Sequence, residues 1–439
     1  MNFLFLNQTF YPDVVATGQY LTEVALRLVE RGHRVTVITG RRAYDRPETK
    51  FSKIETWRGV RIIRIGSTGF GKGARWRRAA DFGTFFAFCA LRLAFLPKPD
   101  VVVALTSPPL ISFLGAVLAT LRRSRFCYWI MDFNPDEAIA AGWLRPGSLA
   151  ARLLEWMSRF SLRRARMIIA LDRFMRDRLL AKGIPAEKIA VIPPWSHDTE
   201  VCFDAEGRER FRKAHGLEGK FVVMHSGNHS PVHPLETLLA AARQLAPDPG
   251  IVFCFVGGGS EWGKIKENAE CRMQNAERGD QKAESEEQNA GNKSQDSAGE
   301  NFSISGFQPV RFSNILCLPY QPLEQLAGSL SAADLHVVVM GADFVGLVHP
   351  CKIYNILSVA APVLYIGPRL SHLSEILDGL KQEYPCAWAA PGEVGRVVHE
   401  IERIRRLPRE TGRQARPPVR ARFSKEVLLP RLIAELESD

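Results

Sequence analysis

The 439-residue chain lacks the marks of several protein classes. Its eight cysteines form no CxxC pair and no nearby Cys/His set at metal-ligand spacing, which argues against a zinc module and a disulfide scaffold. Most lie in apolar stretches such as Phe253-Cys254-Phe255, where a reduced, buried thiol is expected, and a reducing cytoplasm fits that usage. No uninterrupted apolar run reaches the ~18 residues needed to span a bilayer. Met1 to Leu6 runs directly into a strand pattern without a basic leader or a small-residue cleavage site, so no secretory signal is expected.

What is present is the composition of a soluble globular protein, 46% hydrophobic and 24% charged, long enough for two or three domains. The 58 basic and 47 acidic residues leave a net charge of +11. Residues 1–200 hold 31 Lys and Arg against 17 Asp and Glu, or +14, whereas residues 201–439 hold 27 against 30, or −3. The basic excess belongs to the first half, where it suits a polyanionic partner. A nucleic-acid partner is not expected, because no recognised motif or aromatic platform accompanies that charge.

Hydrophobic periodicity gives two alternating series. Asn2–Leu6, Arg34–Thr39, Val60–Ile65, Asp100–Leu105, Phe126–Ile130, Met167–Leu171 and Ile189–Ile192 read as buried strands with helical segments between most of them. Pro193-Pro194-Trp195 breaks the pattern, and a second series follows at Phe221–Met224, Ile251–Val256, Ile315–Leu318, Leu335–Val339 and Val363–Ile366. This order predicts an α/β protein of two doubly wound parallel halves. The expected division is residues 1–196, a hinge at 197–207, a second domain at 208–425 and a docking helix at 426–439, with Val427, Leu428, Leu432, Ile433 and Leu436 on one face. Between about 268 and 303 almost no large apolar residue occurs, and a disordered surface insertion is expected there.

In open α/β sheets ligands bind at the carboxyl ends of strands, where helix N-termini offer free N–H groups to anions. Four segments meet that condition. The loop Asn7 to Gly18 follows the first strand, and Gly18 would permit close backbone approach. Ser226-Gly227-Asn228 ends the first strand of the second half, with His225, His229 and His233 around it, and a phosphate contact suits it better than a metal, since no carboxylate or cysteine accompanies the histidines at fitting spacing. Gly257-Gly258-Gly259 ends the next strand, as a tight turn or as backbone beside a nucleotide. Pro350-Cys351-Lys352 stands at an expected helix start, where the dipole disfavours a cation unless a bound diphosphate reverses the penalty. Asn355, one turn on, offers amide groups to sugar hydroxyls.

With Tyr11-Pro12, Thr17-Gly18, the run Leu28 to Val35, Ser226-Gly227-Asn228, Val256 to Gly259 and Pro350 to Tyr354, the chain resembles family 4 glycosyltransferases of the GT-B fold. The likeness is strongest to those that build bacterial exopolysaccharide, capsule or O-antigen, the colanic acid and N-acetylfucosamine transferases. That resemblance implies two Rossmann-like domains closing on a nucleotide sugar, with UDP-sugar the favoured donor, transfer with retention of configuration, and neither metal nor cofactor. It assigns Lys352 to the diphosphate, Ser226, Gly227, Asn228, Gly257, Gly258, Pro350 and Asn355 to the donor, and Gly18 to donor approach from the first domain. Asp132, in Trp129 to Asp136, takes the place of a polar active-site residue that orients or deprotonates the acceptor; a helix N-cap is its other reading, and Asp136 its neighbour in candidacy.

Many relatives carry two glutamates separated by seven residues, and here those positions are Leu347 and Asn355. Their loss motivates the alternative of a catalytically impaired homologue that binds nucleotide sugar or scaffolds an assembly complex. Finally, Arg75, Arg77 and Arg78 precede an apolar stretch holding Phe82, Phe85, Phe86, Phe88, Leu91, Leu93, Phe95 and Leu96, suited either to the protein interior or to a membrane interface. The implied lipid-linked saccharide acceptor favours an anionic membrane surface, at the cytoplasmic face of the cell membrane.

Overall fold

The computed structural model describes residues 1–13, 15–43, 49–68, 75–196, 201–263, 265, 314–382, 384–408 and 422–438. Residues 197–200 of the expected hinge and the polar insertion at 268–303 lie outside the described residues.

The first half contains β1 (Asn2–Leu6), α1 (Ala16–Glu30), β2 (Arg34–Gly40), β3 (Ile54–Trp57), β4 (Val60–Ile65), α2 (Arg75–Ala94), β5 (Val101–Ala104), α3 (Ile111–Arg122) and β6 (Arg125–Trp129). It continues through α4 (Asp136–Ala140), α5 (Leu149–Arg164), β7 (Met167–Ala170), α6 (Arg173–Ala181) and β8 (Ile189–Val191). These strands form one sheet in the order β3-β4-β2-β1-β5-β6-β7-β8, parallel except for the β3–β4 pair. Continuous apolar runs such as Val101–Ala104, fully buried, are what strands covered by helices on both faces require.

The second half contains α7 (Ala205–Ala214), β9 (Phe221–Asn228), α8 (Glu236–Gln244), β10 (Ile251–Gly258), β11 (Ile315–Leu318), α9 (Leu323–Ser331) and β12 (Leu335–Val339). Next come α10 (Lys352–Ser358), β13 (Val363–Ile366), α11 (His372–Asp378), β14 (Cys386–Ala389), α12 (Val394–Arg405) and α13 (Lys425–Glu437). Its sheet runs β11-β10-β9-β12-β13-β14, all parallel. In each sheet the strand order reverses once, between β1 and β5 and between β9 and β12. The carboxyl ends at those two points are where ligands bind in such folds.

Three elements depart from the sequence reading, one of them the edge strand β14 (Cys386–Ala389), which extends the second series by a sixth strand. The short edge strand β3 pairs with β4 through Arg58 (φ 47°) and Gly59 (φ 83°), a hairpin turn whose two positive φ angles glycine makes easy at the second position. The last helix, α13, buries Leu428, Leu429, Leu432, Ile433 and Leu436 in the core of the first sheet, whereas Val427 stays exposed, so Leu429 replaces Val427 on the docking face. Its ends are held by Lys425 with Glu23 (2.8 Å) and by Glu437 with Arg31 and His33 (2.7 Å each). The chain therefore returns to close on the domain in which it began.

Helix α2 has two apolar faces. Phe85, Cys89 and Leu93 are buried, while Phe88, Leu91 and Phe95 are exposed. Exposed Leu121 of α3 and Leu149, Leu153 and Trp156 of α5 add apolar surface on helices that pack in series with α2.

Candidate functional site

The two glycine segments meet at the carboxyl edge of the second sheet. In the β9–β10 register Gly227 stands opposite Gly257 and Asn228 opposite Gly258. Gly227 and Gly257 both hold positive φ (123° and 137°), and a Cβ on Gly257 would lie 2.1 Å from the Gly227 carbonyl oxygen. Backbone so close, with no side chain on either residue, forms a floor at the strand ends. Gly257→Ala is expected to destabilise the fold by about 1–3 kcal/mol from backbone strain alone, with further loss from the clash, read as a lowered urea midpoint.

Lys352 is the first residue of α10, beside this floor. A Cβ on Gly227 would stand 3.3 Å from Lys352 Nζ, so the absent side chain is what admits the ammonium. Nζ donates to His225 Nε2 at 3.2 Å, while His225 Nδ1 donates to the Val337 carbonyl at 3.0 Å. The carbonyl fixes the tautomer: Nδ1 carries the proton and Nε2 offers its lone pair to lysine. Burial pushes Lys352 down to about 7. Burial, with the charge of Lys352, also pushes His225 and His233 far below the usual imidazole range, and His229 to about 3. The three histidines are therefore neutral at pH 7 and act as polar walls around one cation. His229 and His233, which the sequence places beside the candidate phosphate contact, carry no charge, and Lys352 supplies it.

Ser226 is half-buried and Asn228 exposed at the same edge, Pro350 is buried just ahead of α10, and Asn355 lies half-buried one turn along. Gly258 lies under the ring of Tyr320, whose hydroxyl donates to the Gly258 carbonyl (3.3 Å); Tyr320 is 46% exposed. The sequence reading missed Tyr320, although its place just beyond the carboxyl end of β11 was the available signal. Gly18 stands in the first turn of α1. It is buried, and its missing Cβ admits Thr9 and Phe10 of its own loop (3.3 and 3.4 Å), so the space serves packing between helix and loop.

Across from Lys352, the loop after β6 meets the segment before α10. Asp132 forms a backbone bridge with Val348, and Phe133 N–H donates to the Leu347 carbonyl at 2.7 Å. Pro135, which contributes no side-chain hydrogen bond, caps α4, so Asp132 is not its N-cap; Asp136 is held by Lys182 at 2.9 Å. Asp132 is the freer of the two carboxylates. Burial raises it above the usual range, and burial with the charge of Asp132 raises Glu137 further, against a hydrogen bond from Asn134. The Asp132 charge also reaches the Cys351 thiol, which burial pushes up to about 12, so Asp132 and the start of α10 face one another. Leu347, at one of the two glutamate positions, is 2% exposed and packs in the core of the first sheet.

A two-sheet α/β chain with a cation and bare glycine backbone at the switch point of its second domain is a GT-B fold. Residues 16–195 match the family described as Glycosyl transferase 4-like domain. Along its length the chain is similar to a curated Escherichia coli (strain K12) protein named as the colanic acid biosynthesis glycosyl transferase WcaI, 23% identical over 93% of each chain. It is also similar to a Pseudomonas aeruginosa protein named as the glycosyltransferase WbjE, 23% identical over 74% of this chain and 72% of that one. Among solved structures, sucrose-phosphate synthase of Thermosynechococcus elongatus superposes with a TM-score of 0.66 at 15% identity, covering 98% of this chain and 97% of that one. Anabaena HepE, solved with UDP and glucose, superposes with a TM-score of 0.64 at 16% identity over the full length of both. The structural likeness carries the fold, and with the family match the resemblance to family 4 glycosyltransferases of exopolysaccharide type holds.

Proposed function

We propose that this protein transfers a sugar from a nucleotide-sugar donor to a lipid-linked saccharide during bacterial surface polysaccharide synthesis. The observation that carries the reading is the approach of Lys352 Nζ to Gly227, which pairs with Gly257 at the switch point of the second sheet. A single cation among neutral histidines, above backbone with no side chain, suits a diphosphate. As the bond between the anomeric carbon and the diphosphate breaks, Lys352 stabilises the negative charge that the leaving group gains. Asp132 faces the same cleft from the first domain and orients the acceptor hydroxyl or takes its proton as the new glycosidic bond forms.

UDP is the favoured donor base, since HepE was solved with UDP and glucose. Retention of configuration and independence of metal belong to the reading too, with Lys352 and the start of α10 supplying the positive charge. The exposed apolar faces of α2, α3 and α5 beside the basic first half support contact with an anionic membrane at its cytoplasmic face, each basic residue adding about 1 kcal/mol near such a surface. Among the described residues no helix is long and apolar enough to cross a membrane.

A thermal-shift screen of UDP-, GDP- and ADP-sugars tests the donor assignment, since a ligand of the folded state raises the transition. A rise with one nucleotide, followed by transfer of labelled sugar to a lipid-linked acceptor without added metal, supports the reading. Absence of any shift rejects the donor site. Because Leu347 and Asn355 stand in place of two glutamates, binding without turnover would instead identify a nucleotide-sugar-binding or scaffolding homologue.

A further inference from the structure

The two domains share a buried polar cluster that the transfer reaction does not use directly. Asp172 caps α6 in the first domain, its Oδ1 accepting the Met175 N–H at 2.8 Å. Its other oxygen accepts from His349 Nδ1 of the second domain at 2.7 Å, and His349 Nε2 lies 2.7 Å from the Tyr354 hydroxyl. All three side chains are at least nine-tenths buried. Burial and the neighbouring Cys351 and Asp172 charges keep Tyr354 protonated far beyond the usual phenol range, so its hydroxyl donates to Nε2 and leaves Nδ1–H for the carboxylate. Burial alone would raise Asp172, but the hydrogen bonds from His349 and from the Met175 N–H, with the two imidazoles beside it, outweigh burial and hold the group at about 2.

The cluster has the membership of a metal site, and its geometry argues against one. Asp172, His349 and His372 bring one ligand atom each within 4.8 Å of the others. However, the His349 and His372 rings stack at 4.0 Å with an interplanar angle of 18°, so their in-plane lone pairs run side by side and do not converge on a point. A tetrahedral ion needs convergence.

The chain of hydrogen bonds leads to α10. Tyr354 lies two residues beyond Lys352, and His349 three before it. The neighbouring contacts tie the same segment to α6: Arg178 Nε donates to the Val345 carbonyl at 2.9 Å, and a Cβ on Gly346 (φ 70°) would lie 2.7 Å from the Phe174 carbonyl oxygen. We propose that Asp172 is a positioning residue, which acts through His349 and Tyr354 to hold α10, and with it Lys352, in place when the two domains are together. Leu347, buried in the first sheet's core, is the apolar half of the same joint. The proposal rests on the reading of Lys352 as the diphosphate contact for its functional consequence, though not for its structural one.

Amide exchange of the full-length protein in Asp172→Asn and His349→Gln separates the two. Asparagine also caps helices, so α6 persists in the first variant. Exchange over residues 346–358 is expected to quicken about tenfold while β12 keeps its protection, and the donor KM to rise about tenfold with the acceptor KM unchanged, as displacement of a contact group predicts. Unchanged exchange over 346–358 overturns the proposal, as does an equal gain across both domains, which marks a purely structural role. Equimolar zinc in the purified wild type, lost in Asp172→Asn, would replace it with a metal site. If the wild type binds none of the UDP-, GDP- and ADP-sugars, the donor reading fails while the exchange result still decides the positioning role.

Discussion

Lys352→Ala is expected to lower kcat/KM for sugar transfer by about 10²–10³-fold, the loss that follows when one pre-placed stabiliser of developing negative charge is removed. The same lysine predicts an unusual pH response. Burial holds it at about 7 in the free protein, so above that pH the site stands mostly neutral. A diphosphate favours the charged form, so donor binding takes up a proton there and affinity falls as pH rises beyond about 7. Calorimetric titration at pH 8 in buffers of different ionisation enthalpy measures that uptake, and a heat independent of buffer would refute it.

The stability consequence has the opposite sign. Lys352 is depressed in the folded state from 10.5 to about 7, so between those values the unfolded chain binds the extra proton and stability rises with pH. Below about pH 7 the fold carries the full cost of a buried ammonium. Lys352→Met, which keeps the bulk and removes the charge, is therefore expected to raise Tm at pH 6 and to lose that advantage towards pH 10, while abolishing donor binding. Such an exchange of stability for function is what a strained site predicts.

Asp132→Asn is expected to cost about 10²–10⁴ in kcat with donor affinity little changed, the range for loss of a placed base. Burial raises this carboxyl, so the acid limb of the pH profile lies above the ordinary carboxylate range. Glu137 is raised further, so it is still protonated where Asp132 has lost its proton. Glu137→Gln should then leave both kcat at pH 7 and the acid limb nearly as they were. A limb that moves with Glu137→Gln would assign the base to Glu137.

Much of this site was legible because it is built from strand ends. Gly227 and Gly257 close apolar runs, Lys352 follows a proline at a helix start, and Asp132 ends the run of β6; each signal is local. The edge strand β3 escaped notice because Ile54–Trp57 is short and only half-buried, with no apolar run to mark it. Gly18 marks the limit of such signals: in sequence a glycine at a helix start looks the same whether its space admits a ligand or the preceding loop, and here Thr9 and Phe10 of that loop stand against it. The Asp172–His349 pair, 177 residues apart, left no trace in any window of sequence.

By itself the sequence determined the two alternating series, the basic first half and the residues that end most of the strands. Those follow from periodicity and composition, which act over a few turns of chain. Only the tertiary structure decided that three histidines would be neutral around one lysine, because desolvation depends on what surrounds a group in space. It also decided that Leu347 would face the opposite domain, and that Asp172 would reach across to the helix bearing Lys352. These are contacts between segments far apart in the chain, and closure of one domain on the other creates them.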